Sequence, residues 1–371
     1  MTDSEGPAIP DAYGRALAGV GATTLAALQS LEAAFRRLHP PELDGLRQRL
    51  APARVRLDEV LEEFRKASAP AGLDAFHQQM LAGADHSLDA LERFLEPPLP
   101  ASPAAGVLAA MSHHARAQET LYPLRLALPP LGQYFAEPAL HDELPLLDPE
   151  PADPAGVGLH RAGGEPANER GGFSLYVPER YSGERDWPLV VALHGGSGTG
   201  RDFLWTWLRE ARSRGFLLLS PTSRGSTWAL DSPASELPAL RQMVDFVGER
   251  WRLDRARILL TGLSDGATFT LLAGLAEDAP YTALAPVSGV LHPANFALHN
   301  MQRAAGRRIY LVHGALDWLF PVSLARAARD ALAESGAALH YREIEDLSHT
   351  YPREENARIL DWLDGKPLGS A

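Results

Sequence analysis

From residue 173 onward, short apolar runs alternate with amphipathic stretches, and this alternation constrains the fold more than any other feature. The runs are residues 173–177, 189–193, 216–220, 258–262, 283–287, 309–313 and 339–344. Helix-like stretches lie between most of them, for example 201–214, 236–251 and 322–335. Strands separated by helices are not joined by hairpins; they run parallel, with helices on both faces. The expectation over residues 171–371 is an α/β domain with a doubly wound, mostly parallel sheet. Its ligand site belongs at the carboxyl ends of the strands.

The earlier part of the chain follows a different period. Leu17, Val20, Thr24, Leu28, Leu31, Phe35 and Leu38 recur at steps of three and four, which places them on one helical face. Similar patterns cover 42–67 and 73–95, and a fourth helix starts near Pro103 and is interrupted by Pro123. Residues 1–137 thus read as an all-α helical bundle. Six prolines (138, 145, 149, 151, 154 and 166) and glycines at 156, 158, 163 and 164 make 138–170 read as a linker. Residues 1–165 carry 13 basic and 23 acidic side chains out of 35 and 47, so most of the net charge of −12 sits there. That sign speaks against a nucleic-acid partner. With no cysteine, disulfides, thiolate zinc sites and a cysteine nucleophile are excluded.

No run of 18 apolar residues offers a membrane span, and the acidic start of the chain does not read as a secretory signal. A cytoplasmic location is the resulting expectation. His77, His86, His113, His114 and Glu119 offer no pair at i, i+4 with a carboxylate partner. No metal site and no cofactor are therefore expected.

Gly262-Leu263-Ser264-Asp265-Gly266 follows one predicted strand and opens a helical run. A serine on so sharp a turn needs neighbours with almost no side chain, so that its hydroxyl stands clear at the sheet edge. Serine needs a base, and the base an orienting acid. Asp317 follows the strand at 309–313 and His349 the strand at 339–344, so Ser264, Asp317 and His349 form a candidate catalytic set in chain order. Asp346 is the alternative acid, and His313 and His340 read as structural histidines on strands. The loop His194-Gly195-Gly196-Ser197-Gly198 offers a backbone N–H from Gly196, and Asp265 offers a second, as a candidate oxyanion hole. Neither a P-loop nor a dinucleotide fingerprint fits that glycine spacing. Leu204, Trp228, Trp318 and Phe320 are candidate substrate-binding residues near strand ends, with Trp205, Leu291 and Leu347 in the same class.

Taken together, residues 171–365 resemble the α/β-hydrolase family, in particular its compact carboxylesterase and phospholipase/thioesterase-like branch. The resemblance rests on residues 188–196, 261–266, 285–289, 311–322 and 347–352 in that order. Asp265 departs from the pattern, standing where small thioesterases of this kind often carry Gln. The helical part matches no family known to us. The resemblance implies a serine hydrolase that acts on small carboxylic esters through an acyl-enzyme, without metal or organic cofactor. A serine peptidase of oligopeptidase type shares the order of the three residues and stays open. So does an interaction or scaffold protein with a vestigial hydrolase domain. The helical part is a candidate surface for a homodimer.

Overall fold

The computed structural model describes residues 11–97, 104–151, 153–163 and 170–368. By packing, the chain forms two units. One is helical and reaches Phe135; the other starts at Ala136 and also takes in Arg36–His39. Among the described residues no helix is long and apolar enough to cross a membrane.

The helical unit contains α1 (Asp11–Arg36), α2 (Leu43–Lys66), α3 (Asp74–Leu95), α4 (Ala105–Leu121) and the short α5 (Pro129–Tyr134). Pro103, where the sequence reading starts the fourth helix, lies outside the described residues; the chain leaves α4 through a 3-10 turn, Tyr122–Leu126, that contains Pro123. Each of the four long helices buries one stripe. Val20, Leu28 and Leu31 of α1, Leu57, Leu61 and Phe64 of α2, Met80, Leu91 and Phe94 of α3, and Ala110, Ala117 and Leu121 of α4 are removed from water altogether. Burial of such a large side chain stabilises by about 1.5–3 kcal/mol, which decides helix against coil for segments of this length. Two histidines also belong to this core: His77 Nδ1 meets the Tyr13 hydroxyl at 3.2 Å, and His114 meets the Leu28 carbonyl at 3.3 Å.

The second unit is built on an eight-stranded sheet. In chain order the strands are β1 (Gly158–Ala162), β2 (Phe173–Val177), β3 (Trp187–Leu193), β4 (Leu217–Pro221), β5 (Leu253–Leu263), β6 (Ala283–Val287), β7 (Arg308–Gly314) and β8 (Ala338–Ile344). In space they run β1-β2-β4-β3-β5-β6-β7-β8. The β1–β2 and β2–β4 pairs are antiparallel and all other pairs are parallel. The helices of this unit are α6 (Leu144–Leu147), α7 (Gly200–Phe203), α8 (Leu208–Arg214), α9 (Leu237–Arg250), α10 (Asp265–Gly274), α11 (Ala294–Ala297), α12 (Val322–Glu334) and α13 (Glu355–Leu363). Leu189, Val191, Leu217, Leu219, Ile258 and Leu260 pack with Leu240, Val244 and Val247 of α9 in one apolar cluster. After β3 the chain goes to one side for β4 and returns to the other for β5. The loops that leave β3 and β5 therefore flank a switch point, where an open α/β sheet has its crevice.

Two expectations need correction. The stretch 138–170 is not a free tether where it is described (residue 152 and residues 164–169 lie outside). It holds α6 and the edge strand β1, which pairs with β2 from Gly158↔Val177 to Ala162↔Phe173. Asp148 pairs with Arg212, whose side chain is fully buried. Removing one partner of such a pair withdraws a large part of what compensates the buried charge. Asp148→Ala should therefore lower unfolding free energy by about 3–5 kcal/mol in a denaturant titration; a loss below 1 kcal/mol would show that Arg212 does not depend on this carboxylate. Secondly, the single helix expected over 201–214 is split by a 3-10 turn, Leu204–Thr206, so that both Trp205 and Trp207 are buried.

Candidate active site

Ser264 stands between the last residue of β5 and the first of α10 with φ 57° and ψ −118°. A non-glycine residue rarely takes such a conformation, and it persists only where the surroundings over-determine it. Here the two flanking glycines make it feasible. A Cβ on Gly266 would sit 2.4 Å from the His194 carbonyl oxygen, and one on Gly262 would sit 2.6 Å from the Gly266 carbonyl carbon. The turn is held from outside by the Ser264 N–H, which donates to the Val287 carbonyl of β6 at 3.0 Å.

Three elements bring the sequence-predicted set together. His349, in the loop after β8, has Nε2 at 2.8 Å from Ser264 Oγ and Nδ1 at 2.8 Å from Asp317 Oδ2. A carboxylate only accepts, so Nδ1 carries the proton and Nε2 presents its lone pair to the hydroxyl. The Asp317 side chain is sealed from solvent. Its other oxygen accepts the backbone N–H groups of Leu319 at 3.0 Å and Phe320 at 2.7 Å. Phe320 stands edge-on to the His349 ring at 5.1 Å, which limits how that ring can turn. Asp346 is absent from this arrangement: its exposed carboxylate bonds Arg36 at 3.0 Å, and that guanidinium holds it below the usual range.

The loop after β3 lies against the elbow. A Cβ on Gly195 would stand 3.5 Å from Ser264 Cβ, and one on Gly196 would stand 3.0 Å from Asp265 Oδ2. Among the described residues, the N–H groups of Gly196 and Asp265 donate to no acceptor. The Asp265 carboxylate is held by the Thr227 hydroxyl at 2.6 Å, an interaction that no sequence signal announced.

Two histidines that sequence reasoning gave no site role support these loops. Beneath the loop after β3, the Ser223 N–H donates to His194 Nε2 at 3.0 Å, so the proton sits on Nδ1, 2.6 Å from the Gly195 carbonyl. Burial pushes this imidazole down to about 4. Unfolded, it titrates near 6.5, so between those values the unfolded chain binds more protons and stability falls as pH is lowered. The contribution is complete above 6.5, is lost by 4, and is worth about 3 kcal/mol across that window. His194→Gln should flatten this part of the stability curve in urea titrations from pH 7 to 4; an unchanged slope would assign the proton uptake elsewhere.

The second is His313, at the end of β7. Its Nε2 is 2.8 Å from the Phe320 carbonyl and 3.4 Å from Asp317 Oδ2, so it braces the acid-bearing turn. Burial lowers its pKa and keeps it neutral.

The expected substrate-binding residues divide into two groups. Trp318 is 57% exposed beside Asp317, and Phe320 is half-buried against His349. Leu204 and Trp228 are instead core residues, 1% and 2% exposed; Trp228 stacks on Phe269 at 5.3 Å and donates to the His194 carbonyl at 2.8 Å. Their apolar character served packing, which local sequence does not separate from a pocket.

Residues 235–365, about a third of the chain, match the phospholipase/carboxylesterase family model, a span that contains Ser264, Asp317 and His349. A bifunctional acetylxylan esterase/xylanase from Neocallimastix patriciarum is 28% identical over 183 residues, covering 47% of this chain and 26% of that protein. An oxidized polyvinyl alcohol hydrolase from Sphingopyxis sp. (strain 113P3) is 29% identical over 133 residues, 36% of this chain and 34% of that one. The chain spans only about a quarter to a third of the length of these curated relatives. Among solved structures, a thermostable esterase aligns with a TM-score of 0.45 at 25% identity, over 53% of this chain and 58% of that one. The sheet-bearing unit has the α/β-hydrolase fold, and over residues 235–365 it is similar to the phospholipases and carboxylesterases.

Proposed function

We propose that this chain is a serine hydrolase of carboxylic esters, with Ser264 as nucleophile, His349 as general base and acid, and Asp317 as the orienting acid. The observation that carries the reading is the unbroken relay Ser264 Oγ–His349 Nε2–Nδ1–Asp317 Oδ2, with both contacts at 2.8 Å, on the strained turn between β5 and α10. Ser264 Oγ attacks the acyl carbon while His349 Nε2 takes its proton. The C–O bond to the alcohol then breaks and the same proton goes to the departing oxygen. Water, deprotonated by His349, attacks the acyl carbon; the bond from that carbon to Ser264 Oγ breaks, Oγ takes the proton back from His349, and the acid leaves. The N–H groups of Gly196 and Asp265 face the developing oxyanion, the second at the amino end of α10, where the helix dipole favours negative charge.

The two curated relatives act, by their names, on acetylated xylan and on oxidized polyvinyl alcohol. A short acyl group is the substrate class proposed here. The test is hydrolysis of p-nitrophenyl esters from acetate to palmitate by the full chain. Turnover should peak at acetate to butyrate. A maximum at long chains would replace this class by lipid esters. No turnover by the folded protein would favour a peptidase or a non-catalytic role.

A further inference from the structure

We propose that the helical unit binds one divalent transition-metal ion of the zinc class through His86 and Asp89 of α3 and His113 of α4. The site owes nothing to the ester chemistry and sits entirely within the helical unit. Its geometry starts from the way the two helices are packed. A Cβ on Gly83 would stand 2.5 Å from Leu121 Cδ2, and one on Gly106 would stand 2.7 Å from the Arg93 carbonyl oxygen. Gln79 Nε2 also donates to the Thr120 carbonyl at 2.9 Å. Early α3 therefore faces late α4 and late α3 faces early α4: the pair is antiparallel and close, because glycine stands at both contacts. This register places His113 level with the stretch between His86 and Asp89.

His86 and Asp89 are three residues apart, so they lie on the same side of α3 about one turn from each other. Each of the three residues offers one ligand atom, and these atoms all lie within 4.8 Å of one another. The free groups are poorly matched without an ion. His113 Nδ1 approaches Asp89 Oδ2 only to 3.4 Å, and neither His86 Nδ1 nor His113 Nδ1 makes a hydrogen bond among the described residues, although both atoms are buried. The rings of His86 and His113 stand 5.9 Å apart. All three side chains are only half-buried, which leaves an entry path and room for water to complete the coordination shell.

Two imidazoles and one carboxylate are borderline ligands that suit zinc, nickel or cobalt; calcium and magnesium demand an oxygen shell. The expected absence of a metal rested on spacing within single helices, and this set spans two. An ion held there would tie α3 to α4 and stabilise the unit by mass action.

The test is calorimetric titration of zinc chloride into the EDTA-stripped and dialysed full chain, beside His86→Ala, His113→Ala, Asp89→Asn and the control His141→Ala. The expected result is one ion per wild-type or control chain. Each ligand variant should bind at least about tenfold more weakly, at an unchanged circular-dichroism spectrum. Asp89→Asn is nearly isosteric and covers the case in which a histidine variant misfolds. Cobalt absorption gives a second readout, with d–d bands in wild type that His113→Ala removes. Wild-type affinity in any ligand variant would overturn the site, as would no heat with zinc at 100-fold molar excess over the protein.

Discussion

Ser264→Ala should lower kcat on p-nitrophenyl acetate by about 10⁴–10⁶, a loss of roughly 5.5–8 kcal/mol of transition-state stabilisation. The effect is large because in the proposed mechanism the hydroxyl forms the new bond, and among the described residues no second hydroxyl is bonded to His349 Nε2 to replace it. Stability should change little. Alanine at φ 57° meets much the same backbone strain as serine, and the Ser264 N–H bond to Val287 does not involve the side chain. A variant that melts like the wild type but turns over slowly isolates chemistry from folding. Retention of more than a few per cent of activity would remove Ser264 from the mechanism.

The second large effect is expected at Asp317. Its two oxygens have different partners: Oδ1 accepts two backbone N–H groups, while Oδ2 accepts from His349. In Asp317→Asn the amide oxygen must take the first position, because the NH₂ group cannot accept there. The NH₂ is then turned toward His349 Nδ1. Two donors cannot face each other, so the imidazole changes tautomer and Nε2 points a proton at Ser264 instead of a lone pair. A fall in kcat of about 10⁴ is expected, with KM within a few-fold of wild type. Asp346→Asn, which weakens the exposed ion pair with Arg36, should stay within about twofold. The reverse pattern would make Asp346 the acid.

Much of this arrangement was legible because the chain announces it locally. The seven apolar runs became β2 to β8, since a buried parallel strand needs little beyond a run of branched and leucine side chains. The edge strand β1 gave no such signal. Gly158, His160 and Arg161 interrupt any pattern, and its pairing with β2 comes from the partner's edge instead of its own composition. Ser264, Asp317 and His349 could be read from glycine spacing and chain order. Leu204 and Trp228 could not be assigned, because whether an apolar side chain lines a pocket or fills the core depends on what the rest of the chain lays over it. The same limit hid the meeting of His86, Asp89 and His113, which depends on the register between two helices. Thr227 finds Asp265 only after β4 and β5 take their places on either side of β3.

The strand order also sets a timetable for the molecule. Helices α3 and α4 follow one another in the chain, whereas β3 must find β5, pairing Val191 with Leu260 across an intervening strand and three helices. Chain closure over such a span is slow compared with helix pairing. Ser264 and His349 are 85 positions apart, and they meet only when the sheet from β5 to β8 is complete. During refolding from denaturant, helical signal should therefore return well before the first ester is cleaved, and the lag between the two is the time the parallel sheet takes to zip.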